Sequence, residues 1–269
     1  MTQGNLRKLK TTLATPVEYK LPVGDQDIDL NTLIGKQCHL HHTGAIHCIH
    51  CGRKTKKSFN QGFCYPCVRK LAACDICIVR PEKCHFAAGT CREPDWAAIN
   101  CQTPHIIYLA NTSGLKVGIT RETQIPTRWI DQGAYQAIPF IRVQTRLHSG
   151  LVEITLGKTL NDKTNWRNML KGITTEIDLT QRRTEILQQY QLDIEKICGN
   201  DWEYLENETT TEITYPVEQY PTKVTSFNLD KNPDIKDTLI GIKGQYLIFE
   251  GTVINMRKYG GYVVSLTAM

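Results

Sequence analysis

A cluster of cysteines between residues 48 and 91 constrains this chain more than any other feature. Eight of its eleven cysteines lie there, and the odd total excludes complete internal pairing as disulfides. The N-terminus lacks the apolar run of a signal peptide, and no stretch approaches the ~18 apolar residues of a membrane helix. We therefore expect a cytoplasmic protein without membrane contact, in which clustered, reduced cysteines bind metal.

Two Cys-x2-Cys pairs predict a four-thiolate zinc site. Cys48 and Cys51 are followed, after twelve residues, by Cys64 and Cys67. Two residues between cysteines let both sulfurs of one turn reach the same ion, and structural zinc is commonly bound by four such thiolates. Because the protein fills all four positions, we expect this zinc to organise structure and to leave no open position for catalysis.

A second, less regular set predicts another structural zinc. Its members are Cys74, Cys77, Cys84 and Cys91, separated by two, six and six residues. Two alternatives stay open. His85 could substitute for one of the cysteines, and Cys38 or Cys101 could replace a weaker ligand.

Charge within the cysteine-rich stretch favours a polyanionic partner. Residues 48–92 carry nine Lys and Arg against two Asp and Glu. Four of the cations lie between the two Cys-x2-Cys pairs, and they are Arg53, Lys54, Lys56 and Lys57. The aromatic residues Phe59, Phe63 and Tyr65 are close by in sequence, and this mixture suits phosphate contact and base stacking. The alternative is a solvated rim over a few core aromatics.

Residues 104–172 predict the order strand, strand, helix, strand, helix. HIIYLAN and LKVGIT read as a hairpin about Ser113–Gly114. Pro126 suits the first turn of the first helix, and Gly133 can end it. AIPFIRVQTRL then reads as the third strand, and Ser149 is the expected N-cap of the second helix.

This middle region resembles the GIY-YIG nuclease family. Ile107–Tyr108 stands where the family has its first Ile-Tyr, and Val117–Gly118 stands where it has Ile-Gly. The order hairpin, helix, strand, helix is that of the family. Arg128 on the first helix and Glu153 on the second match the family's catalytic Arg and metal-binding Glu. The resemblance covers about a quarter of the chain.

The resemblance implies metal-dependent hydrolysis of a phosphodiester. Tyr108 would help to activate the attacking water, Arg128 would stabilise charge developing on phosphorus, and Glu153 would hold Mg²⁺ or Mn²⁺. The chain departs from the family at two positions: Ile106 replaces the first Gly and Lys116 replaces the second Tyr. Lys116 could bind phosphate or lower the pKa of Tyr108 by its charge.

Further residues of this region are candidates for gripping a nucleic-acid backbone or stacking on a base. They are Arg121, Trp129, Arg146, Lys163, Trp166 and Arg167. Taken singly, each is more often a surface or capping residue. Together, residues 104–172 hold nine Lys and Arg against four Asp and Glu, which favours a polyanionic substrate.

Both ends of the chain predict β structure. LIGKQCHLHHTGAIHC alternates about Thr43–Gly44 as a hairpin would, and the C-terminal stretch reads as a meander. The two ends could build one small antiparallel barrel. Before the meander, residues 180–197 predict a packed helix. Residues 193–218, with eight acids and one Lys, predict a solvated connector.

The sequence thus predicts an α+β protein in five parts. These are an N-terminal β segment (1–47), a two-zinc cysteine-rich module (48–103), a GIY-YIG-like domain (104–172), a helix with an acidic connector (173–218) and a C-terminal β segment (219–269). The stretches CGRKTKKSFNQGFCYPC, CDICIVRPEKCH, LKVGIT and PTRWIDQGA also resemble an uncharacterised bacterial family of unknown function. That second resemblance implies no activity.

These observations lead us to expect a zinc-containing, nucleic-acid-binding endonuclease of GIY-YIG type, acting on DNA or RNA. Two alternatives stay open. One is a binding module that has lost turnover. The other is a zinc-organised scaffold that binds a protein through the zinc module or the C-terminal β segment.

Overall fold

The computed structural model describes residues 2–160 and 164–268, so Lys163 lies outside the described residues. The strands are β1 (Thr2–Asn5), β2 (Lys10–Thr12), β3 (Glu18–Val23), β4 (Gln26–Asp29), β5 (Gln37–Ile46), β6 (His105–Asn111), β7 (Leu115–Arg121), β8 (Gln136–Val143), β9 (Trp202–Tyr204), β10 (Thr211–Glu212), β11 (Asp234–Lys243), β12 (Tyr246–Phe249), β13 (Val253–Asn255) and β14 (Tyr262–Ala268). The α-helices are α1 (Tyr65–Lys70), α2 (Pro94–Asn100), α3 (Thr127–Asp131), α4 (Arg146–Leu156), α5 (Trp166–Leu170) and α6 (Leu179–Cys198).

The fold is mixed α+β with antiparallel sheets, as the sequence predicts. The described chain divides into two compact units. The end unit comprises residues 2–69, 170–172 and 213–268, and the central unit comprises residues 70–160, 164–169 and 173–212. The division of the sequence into five parts is finer than this and stays a prediction.

Strands from both ends of the chain share one sheet in the end unit. Its order is β1-β14-β5-β11-β12-β13, so β5 lies between two C-terminal strands. Side chains alternate along β5, and Cys38, Leu40 and His42 form its buried row. The expected barrel is wrong. The sheet is open, and among the described strands no pairing joins its edges β1 and β13.

The expected hairpin about Thr43–Gly44 is also wrong. Strand β5 runs through these residues without turning back. Gly44 has a φ of 84°, and the register against β14 shifts between the pairs Tyr262–Ile46 and Val264–His42. A glycine with positive φ therefore forms a bulge here, which absorbs extra residues and leaves the strand direction unchanged.

The predicted element order of the middle region is confirmed. Strands β6 and β7 form a hairpin with Tyr108 opposite Gly118, and α3, β8 and α4 follow. One face of this sheet packs against α4 and α6 in a core that includes Ile107, Phe140 and Ile186. The third strand ends at Val143 and not at the predicted Leu147, and the N-cap of the next helix is Thr145 and not Ser149. Helix α4 begins at Arg146, because the Thr145 side chain accepts from the N–H of His148 and caps it.

The acidic stretch after α6 is packed rather than a solvated connector. Its strands β9 and β10 both pair with β8. Arg183 of α6 is buried and donates to the carbonyl oxygens of Leu205, Glu206 and Glu208 at 2.7–2.9 Å. The backbone of this stretch therefore adds to the central unit, although acidic side chains such as Glu203 remain exposed.

Candidate functional site

The first cysteine set converges in the end unit. Cys48 and Cys51 flank a turn just after β5, and Cys64 and Cys67 lie at the start of α1. Their four sulfurs all lie within 4.8 Å of one another, and those of Cys51 and Cys64 are 3.7 Å apart. Four thiolates ~2.3 Å from a tetrahedral ion would be ~3.8 Å apart. These four cysteines could therefore hold a metal ion.

Backbone amides favour thiolates at this centre. Burial raises the pKa of Cys48, but N–H groups of Cys51, Cys64 and His50 lower it to about 6. The N–H of Arg53 lowers the pKa of Cys51, whereas burial and the other three sulfurs raise that of Cys67. Four negative sulfurs this close repel one another, so a cation between them is what allows all four to ionise.

The predicted basic and aromatic residues surround this turn. Their four cations are exposed, and they are Arg53, Lys54, Lys56 and Lys57. The Lys57 ammonium lies 5.4 Å from the centre of the Phe59 ring, which is 5.8 Å from that of Tyr65. Tyr65 is 58% exposed. The end unit thus presents cations beside an accessible aromatic ring, as phosphate contact and stacking require.

Three of the four cysteines predicted for the second site line one cavity, together with Cys101, which the sequence offers as an alternative ligand. A small cavity of the central unit is lined by Cys77, Cys84, Cys91 and Cys101, and has ≈ 10 Å³ of free space, about one water-sized sphere. Cys74 is buried but does not line it. Cys101 directly follows α2, and the fold brings it to the other three cysteines.

A buried carboxylate lies at the same cavity. Asp75 accepts from the Arg92 guanidinium at 2.7 Å and from the backbone N–H of Ile76 at 2.6 Å. Asp75, Cys77 and His85 offer ligand atoms within 4.8 Å of one another. His85 therefore remains the alternative ligand that the sequence suggests. Spacing along the chain does not reveal Asp75 and Arg92, because only the fold brings Arg92 onto the carboxylate.

Burial and neighbouring charges both raise the pKa of Cys77. Burial is the largest cause, and the charges of Asp75, Cys84, Cys101 and Cys91 add to it, raising the pKa of Cys77 to about 11. The four cysteines of this cavity are thus close enough to act on one another. Without a cation nearby, Cys77 therefore stays largely protonated near neutral pH.

Tyr108 is packed inside the central unit with no exposed surface. Its hydroxyl donates to Gln132 Oε1 at 2.9 Å, and its ring meets that of Trp129 at 6.0 Å between centres. A Cβ at position 118 would lie 2.6 Å from the phenol. Gly118 is therefore required by the space that Tyr108 occupies.

Arg128 and Glu153 both act on this phenol. Burial raises the pKa of Tyr108 to about 12, while the Arg128 guanidinium lowers it and the Glu153 and Asp131 carboxylates raise it. Burial outweighs the Arg128 charge, so the pKa of Tyr108 is raised overall, and a lowering by the charge of Lys116 stays a prediction. The Tyr108 hydroxyl is therefore protonated at neutral pH. Lys116 is only 4% exposed. Strand alternation places its side chain on the same face of the sheet as that of Tyr108.

The remaining candidates lie in different surroundings. Arg121 donates to the side chain of Asn100, and Arg146 donates to the carbonyl of Ile78 at 2.6 Å. Trp129 is only 2% exposed, so a base cannot reach its ring. Arg167 is exposed and stacks 4.4 Å above the ring centre of Trp166. Among the described members of this group, only Arg167 and Trp166 form an accessible cation–aromatic pair.

The fold and the site define a mixed α+β protein with a cysteine centre that could hold a metal ion. The chain belongs to a family described as "Protein of unknown function (DUF2797)", whose model matches residues 35–264. This match confirms the predicted membership of an uncharacterised family. No curated protein and no solved structure matches the chain. Within residues 2–160 and 164–268, no helix has the length and apolarity to cross a membrane.

Proposed function

We propose that this protein is a zinc-containing, nucleic-acid-binding phosphodiesterase of GIY-YIG type. One observation carries the proposal. Arg128 and Glu153 both act on the phenol of Tyr108 from two different helices, in the element order that the resemblance implies. A cation and a carboxylate beside a buried polar pair are what phosphoryl transfer requires.

Each residue has a chemical role in this proposal. Arg128, partly exposed, donates to phosphoryl oxygens and stabilises the charge of the transition state. Glu153 is a partly exposed carboxylate, and Mg²⁺ commonly uses one such group with waters and phosphate. When bound, the ion would neutralise the leaving oxygen. Tyr108 fixes the Oε1 of Gln132, which leaves the amide N–H groups of Gln132 to orient the attacking water.

Zinc would organise the rest of the molecule. We assign one Zn²⁺ to Cys48, Cys51, Cys64 and Cys67, because the sulfur separation suits tetrahedral zinc. We assign a second to the cavity lined by Cys77, Cys84, Cys91 and Cys101. Both sites are filled by protein ligands, so their role would be structural. The first would fix the basic turn that contacts phosphate.

A second candidate function is nucleic-acid binding without turnover. The burial of Tyr108 and of Lys116 favours it, because Lys116 replaces the family's second Tyr and neither side chain is freely accessible. In that case Arg128 would only grip phosphate. The two functions differ in a single measurable property, which is cleavage of a bound polynucleotide.

A cleavage and binding assay separates them. Zinc-loaded protein is incubated with supercoiled DNA and with structured RNA, in Mg²⁺ or Mn²⁺ and in buffer without either ion, while anisotropy follows binding over a range of salt. Metal-dependent nicking supports the phosphodiesterase. Salt-dependent binding without cleavage supports the binding module. Absence of binding even at low salt contradicts both.

A further inference from the structure

A separate cluster of metal-ligating side chains lies on the end-unit sheet. His39 and His41 are two residues apart on β5, so their side chains lie on the same face of the strand. The opposite face carries the buried row of Cys38, Leu40 and His42. Asp234, the first residue of β11, pairs directly with His41. The three side chains are 33%, 40% and 39% exposed, and solvent therefore reaches the cluster.

The separations in this cluster are those of ligands around one ion. His39 Nε2 and His41 Nδ1 lie 2.7 and 2.9 Å from the same oxygen, Oδ1 of Asp234. All three ligand atoms lie within 4.8 Å of one another. Neighbouring ligands ~2.1 Å from an octahedral ion are ~3.0 Å apart. An ion could therefore bind with little rearrangement of the three side chains.

We propose that His39, His41 and Asp234 form a further metal site, which binds a divalent first-row transition ion. Two imidazole nitrogens and one carboxylate oxygen suit Zn²⁺, Ni²⁺, Co²⁺ or Fe²⁺ better than Mg²⁺ or Ca²⁺. Three protein ligands leave open positions for water or a substrate oxygen, unlike the four-cysteine centre. The proposal does not depend on the phosphodiesterase function, because these residues belong to the end unit.

One neighbouring charge opposes cation binding. Lys236 pairs with His39 across the same two strands, and its side chain is exposed. Its ammonium is free to extend into solvent, where screening weakens the repulsion. A Lys236 variant therefore complements the ligand variants. Removing its ammonium should strengthen metal binding, whereas removing a ligand should weaken it.

The test is Ni²⁺ binding to protein loaded with two equivalents of Zn²⁺, enough for the two thiolate centres only, measured by calorimetry together with thermal unfolding. Ni²⁺ favours nitrogen and oxygen ligands and leaves the thiolate centres to zinc. We expect one Ni²⁺ per chain and a rise in melting temperature. The double variant H39A/H41A and the isosteric D234N should each weaken Ni²⁺ binding at least ~10-fold. K236A should bind Ni²⁺ as well as wild type or better.

D234N keeps the outcome interpretable, because an Asn oxygen can still accept hydrogen bonds from both histidines. Circular dichroism and zinc content confirm that each variant is folded. Equal Ni²⁺ affinity and stoichiometry in wild type, H39A/H41A and D234N would overturn the proposal. So would a wild-type protein that binds no Ni²⁺, because the cluster would then be a hydrogen-bonded His–Asp–His group only.

Discussion

At the scale of single residues, the cavity of the central unit indicates which of two cysteines, Cys74 or Cys101, belongs to the second metal site. Spacing along the sequence alone does not decide between them. Cys74 and Cys101 are both buried, at 8% and 5% exposed, but only Cys101 lines the cavity with Cys77, Cys84 and Cys91. Spacing along the chain favours Cys74, which forms a Cys-x2-Cys pair with Cys77. The fold favours Cys101, because α2 ends beside the cavity.

We predict that C101S loses one zinc per chain and C74S loses none. Both variants replace a buried sulfur by a hydroxyl, so they are matched in size and burial. Elemental analysis of the purified proteins measures the zinc content, from an expected value of two in wild type. Loss of zinc from C74S with full retention in C101S would contradict this ligand set and restore the set predicted from spacing.

His105 should make the protein sensitive to acid. It is fully buried in β6, its Nδ1 lies 2.7 Å from the Thr103 carbonyl, and burial lowers its pKa to about 4. The unfolded state, with a pKa near 6.5, binds more protons between these values. Stability from this group is therefore complete above pH ~6.5 and is lost as pH falls to ~4, by roughly 3 kcal/mol.

The variant H105N tests this, because its amide keeps a donor for Thr103 but does not titrate. Urea unfolding at pH 7 and at pH 4.5 should show a smaller difference for H105N than for wild type. The comparison cancels proton competition at the metal sites, which both proteins share. Parallel pH profiles for the two proteins would rule out His105 as a source of acid sensitivity.

At the scale of elements, Arg183 connects α6 to the acidic stretch. Its guanidinium donates to carbonyls of Leu205, Glu206 and Glu208, and R183M would leave these oxygens without their donor. We expect a loss of about 2–4 kcal/mol in urea unfolding, with faster proteolysis near residues 205–208. R182M is the matched control, since Arg182 forms an exposed pair with Glu185 and should cost under ~1 kcal/mol. Equal losses in the two variants would show that these buried hydrogen bonds do not stabilise α6.

Local patterns predicted some elements and not others. The apolar runs and turn residues of 104–172 gave the correct order of β6, β7, α3, β8 and α4, and the period of 180–197 gave α6. The hairpin predicted about Thr43–Gly44 is wrong because a glycine bulge and a hairpin turn have the same local sequence pattern. The prediction of a solvated connector over the acidic stretch is wrong because this stretch is held in place by pairing with β8. Sequence periodicity does not indicate such a long-range contact.

The candidate sites divide in the same way. Cys48, Cys51, Cys64 and Cys67 were predictable because each pair lies on one turn. Cys101 was predicted only as an alternative ligand and Asp234 was not predicted, because their neighbours are distant in sequence. Tyr108 was identified by its motif, but its complete burial was not, because it depends on the packing of Trp129 and Gly118 around the ring.

At the scale of the whole molecule, the net charge of +5 hides a local concentration of cations. We predict that K54A/K56A/K57A weakens nucleic-acid binding and lowers the slope of log affinity against log salt by about 1 per lost phosphate contact. The control K20A/K36A/K223A removes three exposed lysines from elsewhere in the end unit. If both triple variants bind alike in anisotropy titrations, the turn between the cysteine pairs is not the phosphate contact.

The central claim is that Glu153 supports metal-dependent phosphodiester cleavage, and the rate of the E153Q variant tests it most directly. The measurement is the single-turnover nicking rate of supercoiled DNA or structured RNA in Mn²⁺, with affinity determined in parallel. E176Q, which alters an exposed carboxylate of the same unit, is the control. We predict that E153Q cuts at least ~100-fold more slowly with affinity within about threefold of wild type, while E176Q is unchanged. Nicking by E153Q at the wild-type rate would contradict the account, as would wild-type protein that binds the polynucleotide and never cuts it.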